Sequence, residues 1–378
     1  MIGVGCGDDP PEDEPQVSEG VYSPPDRATI LEEETVWQVG SERLYMSLPA
    51  VSPSGTIYAG GWDGTLYAVS PDGTVDWRFE TGDKIDAAPT VDAQGRVLVA
   101  SWDGSLYALD SDGSEQWSFE AGAPVDVSAS VDADGRVYIA STEGRLVRLM
   151  ADGSVDWDID LGAAATTSIS VFDDGQDIRA YVGTTEPSVK CVENGTVTGT
   201  ATVQSQPMQD IALTEEGDAI VSLGTGRVVR IAPDCSISWG VDLTYAVVQG
   251  AVLDQQGRAL VGQHAEQIHA ISLEDGSEVW TSDTRTLGQP LNGMHVGNDG
   301  LVYAGADGVI SVDAQGNIEV LSKLDVLSTP VIADGAPFAT TERGELVRLE
   351  LTLPPLADTP WPTQQANLQR TGYLEGGQ

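Results

Sequence analysis

Positive charge is what this chain has least of for its size: 18 Lys plus Arg stand against 59 Asp plus Glu, a formal net charge of −41. A surface of that sign repels phosphate backbones and anionic headgroups, which excludes nucleic acid as a partner and membrane contact through the folded face. Divalent cations and cationic partners stay open. Cysteine is nearly absent, with Cys6, Cys191 and Cys235 alone. No run reaches the roughly 20 apolar residues a membrane helix needs. Long stretches of helix formers are missing too, while Val, Ile and Thr lie evenly between turn residues and 43 glycines. That is an all-β composition, long enough for one large domain.

What is present is a repeat. At an offset of 40, GGWDGTLYAVSPDGTVDWRFETG (60–82) becomes ASWDGSLYALDSDGSEQWSFEAG (100–122) and then ASTEGRLVRLMADGSVDWDIDLG (140–162). Fixed-period self-similarity marks stacked units, none of which can bury its apolar face alone. Each unit divides at Asp-Gly or Ser-Gly turns into four short strands, A to D, the composition of an antiparallel propeller blade. Later units keep phase at 181–195, 219–239, 259–280 and 301–321, although the fourth lacks the tryptophan. An eighth set of strands, 330–351, has no outer strand after it, and TVWQVG (35–40) at the start has no strands before it. The expected fold is therefore an eight-bladed β-propeller of four-stranded antiparallel blades, its ring closed by the N-terminal outer strand.

The expected domains are a remnant of a lipoprotein signal at 1–6, an acidic proline-rich tether at 7–33, the propeller at 34–353 and a C-terminal segment at 354–378. MIGVGC resembles the tail of a bacterial lipoprotein signal, with Cys6 as the residue to be lipidated, although Gly3 stands where leucine is usual. GDDPPEDEPQVSEGVYSPPD (7–26) has too few large apolar residues to fold and suits a tether. With Cys6 set aside, Cys191 and Cys235 fall near the same end of neighbouring blades, where one disulfide would close a loop of about 45 residues.

These residues resemble the eight-bladed propellers with pyrroloquinoline-quinone-type repeats, including the outer-membrane lipoproteins that serve as assembly factor B for β-barrel insertion. The resemblance rests on the tryptophan-docking pattern, seen as Ala270, Ser272, Gly276 and Trp280 and again as Ala108, Asp110, Gly113 and Trp117. WPTQQANLQRTG (361–372) looks like the segment that ends such chains. The resemblance implies a cell-envelope location, in the outer membrane, periplasm or outside, and a face of B–C turns and D–A loops where partners meet the ring.

Trp37, Trp77, Trp117, Trp157, Trp239 and Trp280 share the outer-strand slot and read as glue between blades, since periodic aromatics are core far more often than ligand sites. The face of B–C turns would carry Trp62, Asp63, Trp102, Asp103, Glu143, Glu186, Glu266, Asp307 and Glu342. Two exposed indoles beside carboxylates could grip a cationic segment or a sugar. Against that, Asp before Gly is what a tight hairpin wants for backbone reasons alone. His264, His269 and His295 have no ligand spacing and read as satisfied structural histidines.

No Cys-Cys pair, Gly-x-Ser-x-Gly elbow or His/Cys cluster occurs, so the reading is a non-enzymatic scaffold that binds a protein or glycan partner, a monomer reaching the membrane only through a lipid anchor. The alternative is a ligand-binding propeller related to quinoprotein dehydrogenases, with pyrroloquinoline quinone or Ca2+ as cofactors that are not favoured. DSDG (110–113) and VDADG (131–135) begin like calcium loops but reach no distant glutamate. Titration with Ca2+ is accordingly expected to leave the melting temperature unchanged; a rise with ligand concentration would contradict this, because a tight ligand must stabilise by mass action.

Overall fold

A computed structural model of the chain describes residues 35–40, 47–207, 210–247, 249–263, 267–283, 293–306, 308–322, 330–333, 336–341, 345–357 and 373–375. Their regular structure is all strand, in eight sheets that make an eight-bladed propeller. Among the described residues no helix is long and apolar enough to cross a membrane. Blade one sets the plan: strand A is Ala50–Val51, B is Ile57–Gly60, C is Thr65–Val69 and D is Val75–Glu80, all antiparallel.

Side chains alternate along each strand, and a propeller uses both faces. Tyr58, Leu66 and Ala68 pack on Val91, Val97, Val99 and Leu109 of blade two. Ile57, Ala59, Tyr67 and Val69 turn the other way, onto Val331, Phe338 and Leu346 of blade eight. The hydrophobic core is thus divided among the seams between blades. Closure follows the expected scheme: Thr35–Gly40 pairs antiparallel with Glu345–Leu349, and Trp37 takes the register position opposite Arg348.

Among the described residues, the outer-strand tryptophan docks on the next blade at five seams. A Cβ added to Gly113 would lie 2.7 Å from the Trp77 ring, and Gly113 has φ +85°, so the C–D turn requires glycine on two counts. Gly153 lies in the same way under Trp117, Gly195 under Trp157, Gly276 under Trp239 and Gly316 under Trp280. Three of these indoles also donate Nε1–H to the next blade: Trp77 to Ser111 O at 2.8 Å, Trp117 to Ala151 O at 3.1 Å and Trp239 to Leu273 O at 3.1 Å. Blade four has the two-residue turn Asn194–Gly195, tighter than DSDG, and Trp157 Nε1 is left without an acceptor. Buried Arg96 pins one seam further, with Ala151 and Gly135 carbonyls as acceptors and Asp92 Oδ2 2.9 Å from its Nε. Arg258 does the same with Ala314 O and Asp254.

The seam between blades four and five is built differently. Gly199 stands opposite Cys191 in the slot where Trp77 stands opposite Ala68. Cys235 stands where the other C–D turns have glycine, and keeps the positive φ, +68°. Cys191 and Cys235 are joined in a disulfide, with Cα atoms 6.1 Å apart and a sequence separation of 44. A covalent bond therefore occupies the place of the tryptophan dock. A loop of that length is worth about 4 kcal/mol by chain entropy, so the bond supplies stabilisation at a seam that lacks a tryptophan dock of the kind seen at Trp77.

Two features differ from expectation. His269 is satisfied, with Glu278 Oε2 at 2.7 Å and Gln263 Oε1 at 2.8 Å, but His295 has no hydrogen-bond partner on either nitrogen. It stacks on Tyr303 with ring centroids 5.0 Å apart, and complete burial pushes its pKa down to about 4, keeping it neutral. Second, Tyr373–Glu375 adds a parallel strand to the free edge of strand A of blade four, Ser170–Asp173. A three-residue strand paired across half the chain carries no hairpin signal in sequence. Cys6, the 7–33 tether, the 361–372 motif, His264, Glu266, Asp307 and Glu342 lie outside the described residues.

The seam exchange gives an expectation. Replacing Cys191→Ala with Cys235→Gly should cost up to about 4 kcal/mol in unfolding free energy, and adding Gly199→Trp should recover a substantial part of it. Denaturant unfolding of the double and triple variants measures both steps; no recovery in the triple variant would show that the slots are not equivalent.

Candidate functional site on the loop face

B–C turns and D–A loops share one end of the ring, stitched blade to blade by backbone hydrogen bonds: Trp102 N to Lys84 O and Thr142 N to Pro124 O, both 3.0 Å. This places Trp62 and Trp102 at the tips of adjacent turns, with the D–A loop of blade one running between them.

Among the four described carboxylates singled out on this face, Asp63 and Asp103 are spent on its architecture. Asp63 Oδ1 accepts from Thr65 N at 2.9 Å and its Oδ2 from Tyr67 Oη at 3.0 Å. Asp103 Oδ1 accepts from Ser105 N at 2.8 Å, while its Oδ2 takes both Tyr107 Oη and Gly82 N at 2.7 Å. Both are braces of the tight turn. Glu186 pairs with Lys190 of its own blade at 3.7 Å. Glu143 is exposed on its turn. Among the described residues no group of three His, Cys, Asp or Glu could hold a metal ion.

The two indoles meet at a residue the sequence reading passed over. The Lys84 ammonium lies 3.7 Å from the ring centroid of Trp102 and 4.6 Å from that of Trp62, inside cation–π range of both. Its Nζ is 3.4 Å from Asp86 Oδ2, and Asp86 Oδ1 accepts the Trp62 Nε1–H at 2.9 Å. Trp62 stays 48% exposed, so the cluster opens to solvent. The aromatic pair expected to grip a cation from outside already holds one of the chain's own.

Forty residues on, Trp102 and Asp126 repeat the positions of Trp62 and Asp86, but the bond between them is not made. Trp102 Nε1 and Asp126 Oδ1 are both buried without a partner. Burial raises the Asp126 pKa above the ordinary carboxylate value, its own backbone N–H opposes this, Asp86 adds to it and Lys84 opposes it. A signal for this cluster did exist: the D–A loops align as DKID (83–86), APVD (123–126) and AAAT (163–166), exposing a column Asp86, Asp126, Thr166 and one lysine.

The sequence model of the family described as outer membrane protein assembly factor BamB matches residues 27–183 and 264–353, more than half of the chain. The chain belongs to that family. No curated protein matches it. Among solved structures it resembles BamB from Moraxella catarrhalis, at 13% identity over 85% of this chain and 99% of that one, with a TM-score of 0.67. It also resembles the computationally designed Ika8 protein, at 13% identity over 82% of this chain and 98% of that one, TM-score 0.68. BBS1N, solved in complex with ARL6DN, matches at 14% identity over 83% and 88%, TM-score 0.54. At such identities the likeness is one of fold.

The Asp126 shift fixes a sign. With the folded pKa above the unfolded one, the buried carboxylate costs stability above the folded pKa, and the cost fades as pH falls through it and is gone below the unfolded pKa. Asp126→Asn is therefore expected to raise the melting temperature by a few degrees at pH 7, with the gain vanishing near pH 3 (roughly a unit below a free carboxylate). Thermal scans across that range check it; a loss of stability at pH 7 would mean the ionised carboxylate is a net favourable partner in the cluster.

Proposed function

We propose that this protein is a non-enzymatic scaffold of the bacterial cell envelope which docks a protein partner on the face of its B–C turns and D–A loops. Membership in the assembly-factor family supports the scaffold role and the envelope location. The observation that carries the choice of face is the half-exposed Trp62 grouped with Trp102, Lys84 and Asp86. Exposed aromatics grouped with a positively charged side chain are what interface anchors are made of. The opposite end of the ring offers C–D turns such as 71–73 and 111–113, whose side chains serve the hairpins themselves: Asp112 Oδ1, for instance, accepts Ser114 N at 3.0 Å.

A photo-reactive residue at position 143 on the loop face, compared with one at position 112 on the other, separates the two ends. The reading expects an envelope partner to be cross-linked from position 143 and not from position 112, and the adduct to disappear in a Trp62→Ala, Trp102→Ala background. Equal capture from both ends, or capture from position 112 alone, contradicts it.

A further inference from the structure

We propose that the slot between Trp62 and Trp102 is a site for a basic side chain, occupied in the free protein by Lys84, and that a lysine or arginine of a partner segment enters by displacing it. The inference rests on the loop face being the docking face and names the chemistry of the guest.

Three observations carry it. The first is that the slot is shown to accept an ammonium: Lys84 Nζ sits against both rings, at 3.7 and 4.6 Å. A neutral sugar would need a ring face to stack on, and Lys84 covers one face of Trp102. The second is an imbalance of charge and hydrogen bonds. Asp86 is served by Lys84 and by the Trp62 Nε1–H, whereas the buried Oδ1 of Asp126 has no donor at all. Two carboxylates share one ammonium, and a guest with several N–H groups supplies what the second lacks. A buried acceptor left unmade is costly, so supplying its donor favours the guest over the occupant. The third is the field. In the D–A loops and B–C turns of blades one to five Lys84 is the one lysine or arginine, on a chain of net charge −41, so this part of the face attracts cations and rejects anions.

Displacement is easy in the direction required. The Lys84 side chain is 24% exposed and the Asp86 side chain 37% exposed, so its ammonium swings into water, leaving contacts that are individually weak at such exposure. Lys84 thus acts as a placeholder: it keeps the two indoles apart and their faces covered, and it lowers the apparent affinity of any guest by the factor that its own occupancy imposes.

The probe is an acetylated, amidated Gly-Arg-Gly-Arg-Gly peptide, compared with the same peptide carrying citrulline, which keeps the shape and removes the charge. Calorimetric titration of the full chain is expected to show that Lys84→Ala binds the arginine peptide about tenfold tighter than the parent protein. Neither protein should bind the citrulline peptide. Adding Trp62→Ala or Asp126→Asn to Lys84→Ala should abolish the gain, with thermal melting confirming the fold; Lys84→Ser replaces Lys84→Ala if the latter disturbs it. Equal or weaker binding by the Lys84 variant overturns the placeholder, as does citrulline binding as well as arginine. Tighter binding of chitotriose than of the peptide would make the slot a sugar site. Should cross-linking from position 143 succeed while the peptide fails, the docking face stands and the basic guest falls.

Discussion

The dock of an outer-strand ring on the glycine of the next blade is the contact on which the rest of this ring depends. Each blade is a four-stranded sheet with two apolar faces and cannot bury either alone. The alternation of its side chains sends half of them to each neighbour, so a blade is only as well formed as its two seams. Trp77 over Gly113 shows the economy of the joint: the indole covers backbone that a Cβ would push away, and its Nε1–H ties the sheet to the turn. Where blade four offers Gly199 in place of the ring, the Cys191–Cys235 bond holds the same two strands in the same places, down to the left-handed backbone at Cys235. The joint is conserved in position while its chemistry changes within one chain.

A rigid ring of this kind sets the loops on one end at fixed spacing, and that spacing makes the Trp62–Trp102 slot. The two indoles are near each other because they occupy the same turn position of adjacent blades, and Lys84 reaches both because the D–A loop is hydrogen-bonded to the next B–C turn through its own carbonyl. The acidic balance of the chain gives the site its polarity. Asp63 and Asp103, which look in sequence like members of a binding ring, are turned into the hairpins as hydrogen-bond acceptors, whereas Asp86, one loop away, turns its carboxylate to Trp62 and Lys84 at the slot.

Fold was legible in the sequence because a 40-residue period prints every element eight times; the orphan strand 35–40 and the unpaired set at 330–351 then determined both blade number and closure. Turn chemistry was legible for the same reason, and so was the cysteine pair as neighbours. The meaning of that pair was not, since Gly199 and Cys235 become a substitute dock only when the register is known. Lys84 escaped notice because its role depends on two residues 22 positions behind and 18 ahead, and the repeat alignment of the D–A loops that singles it out does not show that it reaches both indoles. The missing bonds of His295 were equally invisible, as an inner-strand histidine in sequence does not show whether its neighbours carry acceptors. The strand at 373–375 pairs with residues two hundred positions away, beyond any periodicity.

Proton NMR of the Lys84 side chain tests the central claim most directly, because ring currents of two flanking indoles displace its terminal methylene protons far upfield. In the free protein those protons should appear well upfield of a water-exposed lysine, and saturation with the arginine peptide should return them to the exposed position while arginine methylene protons move upfield in their place. Lys84 protons that stay upfield at saturation, or that are unshifted from the start, would contradict the account.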